Sequence, residues 1–404
     1  MKFFLHHYLS WPFLAANSAD AKATEGNRLS HKEYDPQKGS RLFSEYLSTL
    51  TLAEEWGFDG VSLSEHHQTP YSLSPAPRML AACLSQRTKR MQIAILGMQI
   101  HLNRSPLHLA EELALLDQLL QGRWMVGYSL GQASDYYTMQ SNPAFAWEQF
   151  KECFQLIRSL WSTEVVSPWN GKNQFYRHLN VWPLPSRDNQ PARWLEALPI
   201  QPVLDFIVQE QVGLHLPPYC SFAACEHLTQ RFRETCAKAG FQPDASQIGW
   251  TIPIYVSKTD EQARTEFEPH LHYFLNHLLQ HVTAMPWPPG MFASHTQLSF
   301  LRHQRHVMHN QLGWSELVND GYIIAGSPGT VRNRINHYRK ELGAGVLFGI
   351  MQLGSLPHML TRKSMALMAR EVLPFIRNDN LLQPASMDTP FPVQSHFDTA
   401  TIES

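Results

Sequence analysis

Several things are scarce in this 404-residue chain, and each scarcity removes a class of function. Charge of one sign is missing: 33 Lys and Arg stand against 35 Asp and Glu, for a formal net charge of −2. With no basic stripe and no acidic tail, nucleic acid and anionic membrane are not expected partners. Cysteine is sparse, odd in number and irregularly spaced, at 83, 153, 220, 225 and 236. A disulfide scaffold is therefore not expected, and a reducing cytoplasm fits. No stretch approaches the ~20 apolar residues of a membrane span. Met1-Lys2-Phe3-Phe4-Leu5 opens like a signal peptide, but His6, His7, Ser10 and Pro12 interrupt it, so it reads as a first strand. Neither GxGxxG nor GxxxxGK[ST] follows that strand, which argues against a nucleotide-binding open sheet.

What is present is alternation. Apolar runs of strand length (Lys2 to Leu9, Val61 to Leu63, Gln92 to Gln99, Trp124 to Tyr128, Arg193 to Ala197, Val212 to Leu216, Ile248 to Val256, Val346 to Gln352) are separated by helix-period segments. Examples are Ser40 to Trp56, Pro77 to Gln86, the segment opening at Pro106 after a Ser105 cap, and Trp147 to Ser162. Both faces of Gln92 to Gln99 are apolar, as in a fully covered parallel strand. Strict alternation of eight strands and eight helices predicts an α/β fold of the (β/α)8 TIM-barrel type over residues 1–377, with a doubly wound open sheet as the competing architecture. Long insertions, about 12–39 and 257–322, follow strands one and seven. In a barrel both overhang the C-terminal mouth and are lid candidates. Residues 378–404 form a polar, Pro-rich tail.

The chain is organised around Trp56 to His67. A helix stops at Gly57, a buried strand follows, and that strand runs directly into Glu65, His66 and His67. Titratable side chains at the carboxyl end of a parallel strand mark the place where such folds bind ligands. A histidine there can give and take protons; otherwise it is a structural histidine bonded to a neighbouring loop. Glu65 either orients His66 or holds a mouth loop, and His67 reads as structural.

These residues also carry a resemblance. Glu55 to Val61 with Glu65-His66-His67, Arg87 to Arg90, Asn103 to Asp117 with Gly122-Arg123, Ala325 to Val331 and Ala369 to Pro374 are similar to the bacterial luciferase-like, flavin-dependent monooxygenases. The likeness covers roughly residues 1–377 and is densest over 53–123. It implies a TIM barrel, usually dimeric (a homodimer, or a heterodimer with a second barrel), that takes reduced FMN from a separate flavin reductase. It further implies oxidation, through a flavin peroxide, of a small-molecule or carrier-bound organic substrate. His66 would be the active-site histidine, with Glu65 beside it. Gly97-Met98 falls where the family holds a non-proline cis peptide beneath the flavin ring; from the residues alone, Gly97 is equally a strand-end glycine. A flavin peroxide needs a dry pocket, which Val61, Leu63, Met98 and Tyr128 with two lids would supply.

The likeness fails where the FMN phosphate should be held. The family's Gly-x-x-Arg-Gly turn reads Gly127-Tyr128-Ser129-Leu130-Gly131 here, so Leu130 replaces an arginine. Trp147 stands where a second arginine is expected. The small hydroxyl-rich turn after strand five has become Glu196-Ala197-Leu198-Pro199-Ile200-Gln201-Pro202, whose prolines remove backbone donors. Arg193, Arg104 or Arg158 would have to substitute. Two readings follow. Either the chain is a monooxygenase that holds its flavin differently, lined by Gly97, Met98, Tyr128, Ser129, Leu130, Trp147, Ala197 and Leu198, or it is a non-catalytic barrel acting as a regulatory partner subunit.

Other features are weaker. His270, His272, His277, His281, His303, His306 and His309 have spacings a metal could use, but no Glu follows His277 in the run His277-Leu-Leu-Gln-His281 and no cysteine lies nearby, so a solvated or partner-facing histidine-rich helix is expected and no metal. Gly326-Ser327-Pro328-Gly329-Thr330 reads as a helix start with a serine cap, or as an anion site. The aromatics Trp287, Phe292, Phe300 and Trp314 suit lid core or a dimer contact.

Overall fold

Eight parallel strands close on themselves in the computed structural model, which describes residues 1–14, 31–162, 166–186, 192–279 and 312–377. They are β1 (Lys2–His7), β2 (Gly60–Ser64), β3 (Gln92–Met98), β4 (Trp124–Tyr128), β5 (Ala192–Glu196), β6 (Gly213–Leu216), β7 (Ile248–Val256) and β8 (Val346–Gln352). Each pairs with the next, and β8 returns to β1, with Phe3 opposite Leu347 and His6 opposite Ile350. The architecture is the TIM barrel expected from the alternation. Around it lie α1 (Pro36–Glu55), α2 (Pro77–Ser85), α3 (Pro106–Leu120), α4 (Ala146–Ser162), α5 (Gln201–Gln209), α6 (Phe222–Lys238), α7 (Pro328–Leu342) and α8 (His358–Leu367).

Local chemistry sets the helix starts. Ser105 Oγ accepts from His108 N at 3.2 Å, with Pro106 in the first turn, as expected. The first helix begins at Pro36, earlier than the expected Ser40, because the Asp35 carboxylate accepts from Gln37 N and Lys38 N at 2.8 and 3.2 Å.

Inside the ring, Phe4, Ala94, Leu96, Met125, Trp194, Val346 and Phe348 form one apolar plug. Glycine makes room for it: a Cβ on Gly213 or Gly249 would come within 2.7 Å of the Trp194 ring. Side chains alternate along a strand. Two residues beyond Phe4, Gly60, Trp194, Gly213 and Gly249, the same inward face therefore presents His6, Ser62, Glu196, His215 and Thr251. The barrel thus changes from apolar to polar one layer below its carboxyl-terminal mouth.

Three elements differ from expectation. The Pro-rich excursion after α4 contains an antiparallel hairpin, Ser167–Asn170 with Phe175–Leu179, whose turn is held by the Glu152 carboxylate accepting from Asn173 N and Gln174 N, both at 2.8 Å. A short helix, Ala133–Thr138, follows β4. An extra strand, Ile324–Gly326, lies parallel to Ile254–Val256 at the end of β7. Of the second insertion, 280–311 lies outside the described residues, as do 15–30 of the first and the tail 378–404. No helix among the described residues is long and apolar enough to cross a membrane.

Candidate active site at the barrel mouth

The polar layer opens into a pocket at the carboxyl ends of the strands. His6, His66 and His215 line it with Glu65, Asp135 and Glu196. His6 Nδ1 lies 2.8 Å from Ser62 Oγ, and His215 Nε2 lies 2.7 Å from Thr251 Oγ1. Burial, with the neighbouring His66 and His215, holds His6 down to about 3; burial alone holds His215 to about 4. Both are neutral imidazoles near neutral pH.

His66 stands just past β2, fixed by its backbone N–H donating to the Ser74 carbonyl at 3.1 Å and by edge-to-face contact with Tyr71, ring centroids 4.6 Å apart. Part of its surface opens onto the pocket, yet protein surrounds it closely. Burial and the adjacent His67 bring it down to about 3, so it too is neutral. Among the described residues no hydrogen bond engages the ring of His66, which lines the pocket.

Glu65 does not orient His66. Its Oε1 is 3.1 Å from His67 Nε2, and its Oε2 is 3.8 Å from Arg78, whose Nε reaches Glu112 at 2.9 Å. This chain ties the end of β2 to α2 and α3. The hydrogen bond to Glu65 raises the His67 pKa.

One wall is aromatic. Tyr8 lies 4.8 Å from Tyr71 and 6.4 Å from Tyr219, near-parallel to the latter, and Phe274 packs behind all three. Burial raises the Tyr8 phenol to about 12 and the other two well above their ordinary value, so all three remain O–H donors. The lining also carries acids. Glu196 ends β5; burial raises its pKa against the opposing effect of a hydrogen bond from Ser129. Asp135 accepts from Gln99 Nε2 at 2.8 Å and Gln132 N at 2.7 Å, and burial raises it as well.

Of the residues singled out in the sequence, Glu65, His66, Gly97 and Ser129 line this pocket; Met98, Tyr128, Leu130, Trp147, Ala197 and Leu198 do not. A bulge in β3 between Ile95 and Met98 explains the first split. It turns Met98 into the helix-facing core and lays Gly97 bare at φ +70°, with nothing within 4 Å of a Cβ added there. The expected cis bond is absent: among the described residues the cis peptide is Trp182–Pro183, and Gly97–Met98 is trans.

The second split concerns phosphate. Leu130 is 3% exposed. Trp147 stacks on Phe150 at 5.7 Å and 10°, and its edge meets Phe206 at 5.3 Å. Tyr128 and Phe154 join the same cluster. In the turn after β5, Ala197 N donates to the His215 carbonyl at 2.7 Å and Ile200 N to the Leu198 carbonyl at 2.8 Å. Nearby cations are engaged elsewhere: Arg158 Nη1 with Glu210 Oε2 at 2.5 Å, Arg193 over the Phe154 ring, and Arg231 with the Pro199 carbonyl. Arg104 lines a separate groove with Arg78 and Glu112. The bared backbone at Gly97, the aromatic wall and neutral His66 suit the ring of a flavin; the expected phosphate end does not fit.

Elsewhere, Asp260 fills the turn at Gly326-Ser327, accepting from Ser327 N at 2.6 Å and Thr330 Oγ1 at 2.9 Å, so an acid of the chain already occupies that helix start. His270 bonds Ser355, and His272 pairs with Glu268. No group of three metal-ligating side chains occurs among the described residues. His281, His303, His306, His309, Trp287, Phe292 and Phe300 lie outside them. None of the five cysteines is in a disulfide.

Sequence reasoning missed His6, Tyr8, Tyr71, Glu196, His215 and Tyr219. For His6, Glu196 and His215 the available signal was a polar residue two positions beyond Phe4, Trp194 and Gly213.

A family model described as luciferase-like monooxygenase matches residues 26–345. Limonene 1,2-monooxygenase of Rhodococcus erythropolis is 25% identical over 348 residues, 83% of this chain and 80% of that one. The monooxygenase RslO1 of Streptomyces bottropensis superposes with a TM-score of 0.72 at 21% identity, covering 93% of this chain and 100% of its own. The oxygenating constituent of 3,6-diketocamphane monooxygenase from Pseudomonas putida, solved with FMN, gives 0.71 at 17% identity over 93% and 98%. The chain belongs to the luciferase-like monooxygenase family.

Proposed function

We propose that this protein is a monooxygenase that oxidises a small-molecule or carrier-bound organic substrate in the barrel mouth, using O2 and reduced flavin delivered by a separate reductase. The carrying observation is the pairing, in one pocket, of a neutral histidine and a buried carboxyl of raised pKa. The chain's own residues have distinct tasks. Tyr8, Tyr71, Tyr219 and Leu279 exclude water from the reacting atoms. Neutral His66 offers a hydrogen-bond acceptor at its unprotonated ring nitrogen to the reacting group, and Glu196, which keeps its proton to higher pH than an ordinary carboxyl, is the group that can donate one. Gly97 lets a planar ring approach the β3 backbone. We place the protein in the cytoplasm, as a homodimer or paired with a second barrel.

The test couples the purified chain to a flavin reductase and NADH, offers aldehydes, ketones and terpenes, and follows isotope-labelled O2 into product. His66→Ala should abolish incorporation while leaving flavin binding intact; unchanged incorporation would remove His66 from the mechanism. A second reading, the non-catalytic partner subunit, is favoured by the aromatic filling of the phosphate end. It requires co-purification with a second barrel chain and no incorporation by this chain alone.

A further inference from the structure

The phosphate end and the pocket lining point the same way. At the positions of the missing arginines stand buried Leu130 and a Trp147 ring stacked into an aromatic cluster. A dianion there would lose its water and gain no partner. The mouth offers no substitute: among the described residues its lining holds three carboxylic side chains, Glu65, Asp135 and Glu196, and neither lysine nor arginine. Glu65 is already committed to His67 and Arg78, and Asp135 accepts two hydrogen bonds. Such a pocket offers an anion no cation at one end and denies it solvation at the other. It does provide neutral donors and ring faces: Gln99 and the tyrosine wall.

We infer that the barrel mouth takes a flavin-type ring that carries no phosphate, so that riboflavin is preferred over FMN. This rests on the flavin-dependent reading above and names the form of flavin it requires. Binding here comes from stacking and neutral hydrogen bonds, and is insensitive to salt because no ion pair contributes.

The experiment titrates the full chain with riboflavin and with FMN, oxidised and anaerobically reduced, reading fluorescence quenching of the oxidised forms and dialysis of the reduced ones. The expected result is a riboflavin Kd at least about tenfold below that of FMN, unchanged between low and high salt. Leu130→Arg, with riboflavin binding as the check that the barrel is intact, should move the ratio toward FMN. FMN binding as tightly as riboflavin, or more tightly, overturns the inference while leaving the flavin-dependent reading standing. Failure of both flavins to bind overturns both. Should Leu130→Arg lose riboflavin binding through misfolding, the wild-type ratio decides alone.

Discussion

Gly249→Ala sets two effects of opposite sign against each other. At an ordinary strand position the change stabilises by about 0.4–1 kcal/mol, because the unfolded chain loses freedom. Gly249 is not ordinary: an added Cβ would lie 2.7 Å from Trp194 Cζ3 and 3.0 Å from Phe348 Cε2. Those rings are 2% and 0% exposed, and Phe348 is held against Phe4 at 5.2 Å. With nowhere to move, they convert the extra methyl into overpacking, at a cost of about 1–3 kcal/mol. The net expectation is a loss of roughly 1–2 kcal/mol. Urea unfolding should show a lower midpoint at unchanged slope. The cost should shrink in a Trp194→Leu background, since the two changes share one contact. Glu196 lies two residues beyond Trp194 on the same face, so ligand binding at the mouth should weaken as well. A midpoint at or above wild type would refute the packed interior on which the polar layer rests.

Further outcomes follow from the same contacts. Gly97→Ala meets no atom but sits at φ +70°, so it should cost about 1 kcal/mol in stability, with loss of ligand affinity confined to the pocket. Arg78→Ala strips a partner from buried Glu65 and should lower stability by about 1–3 kcal/mol, measured by urea unfolding. His6, His66 and His215 stay neutral when folded and protonate near 6.5 when unfolded. The unfolded state therefore binds more protons between about 6.5 and about 3, and stability falls as pH drops through that window. His6→Asn should flatten this limb of the urea-midpoint profile, and an unchanged limb would dismiss His6 as a contributor.

The barrel was legible because strand and helix periods alternate cleanly, and because Gly57, Ser105 and Pro106 punctuate them. The hairpin after α4 was not, since Pro, Asn and Gly there signal turns whether or not a ladder forms, and its stabilising partner, Glu152, is a helix residue distant in sequence. The mouth was half legible. Glu65 and His66 end their strand visibly, and Gly97 was found for a reason that proved different, a bulge and not a cis bond. His6, Glu196 and His215 were hidden because the inward face of a fully covered strand is a matter of register, which one strand's sequence does not fix when both faces are apolar. Leu130 and Trp147 were visible as departures, but only packing shows Leu130 buried and Trp147 stacked into an aromatic cluster.

The most direct test of the account is anaerobic equilibrium dialysis of the full chain against reduced flavins, with and without the phosphate. About one reduced flavin should be retained per chain at saturation, kept in His66→Ala and lost in Gly97→Leu, which fills the bared strip of β3. No retention by the wild-type chain, even at high flavin concentration, would contradict the claim that this mouth is a flavin-dependent active site.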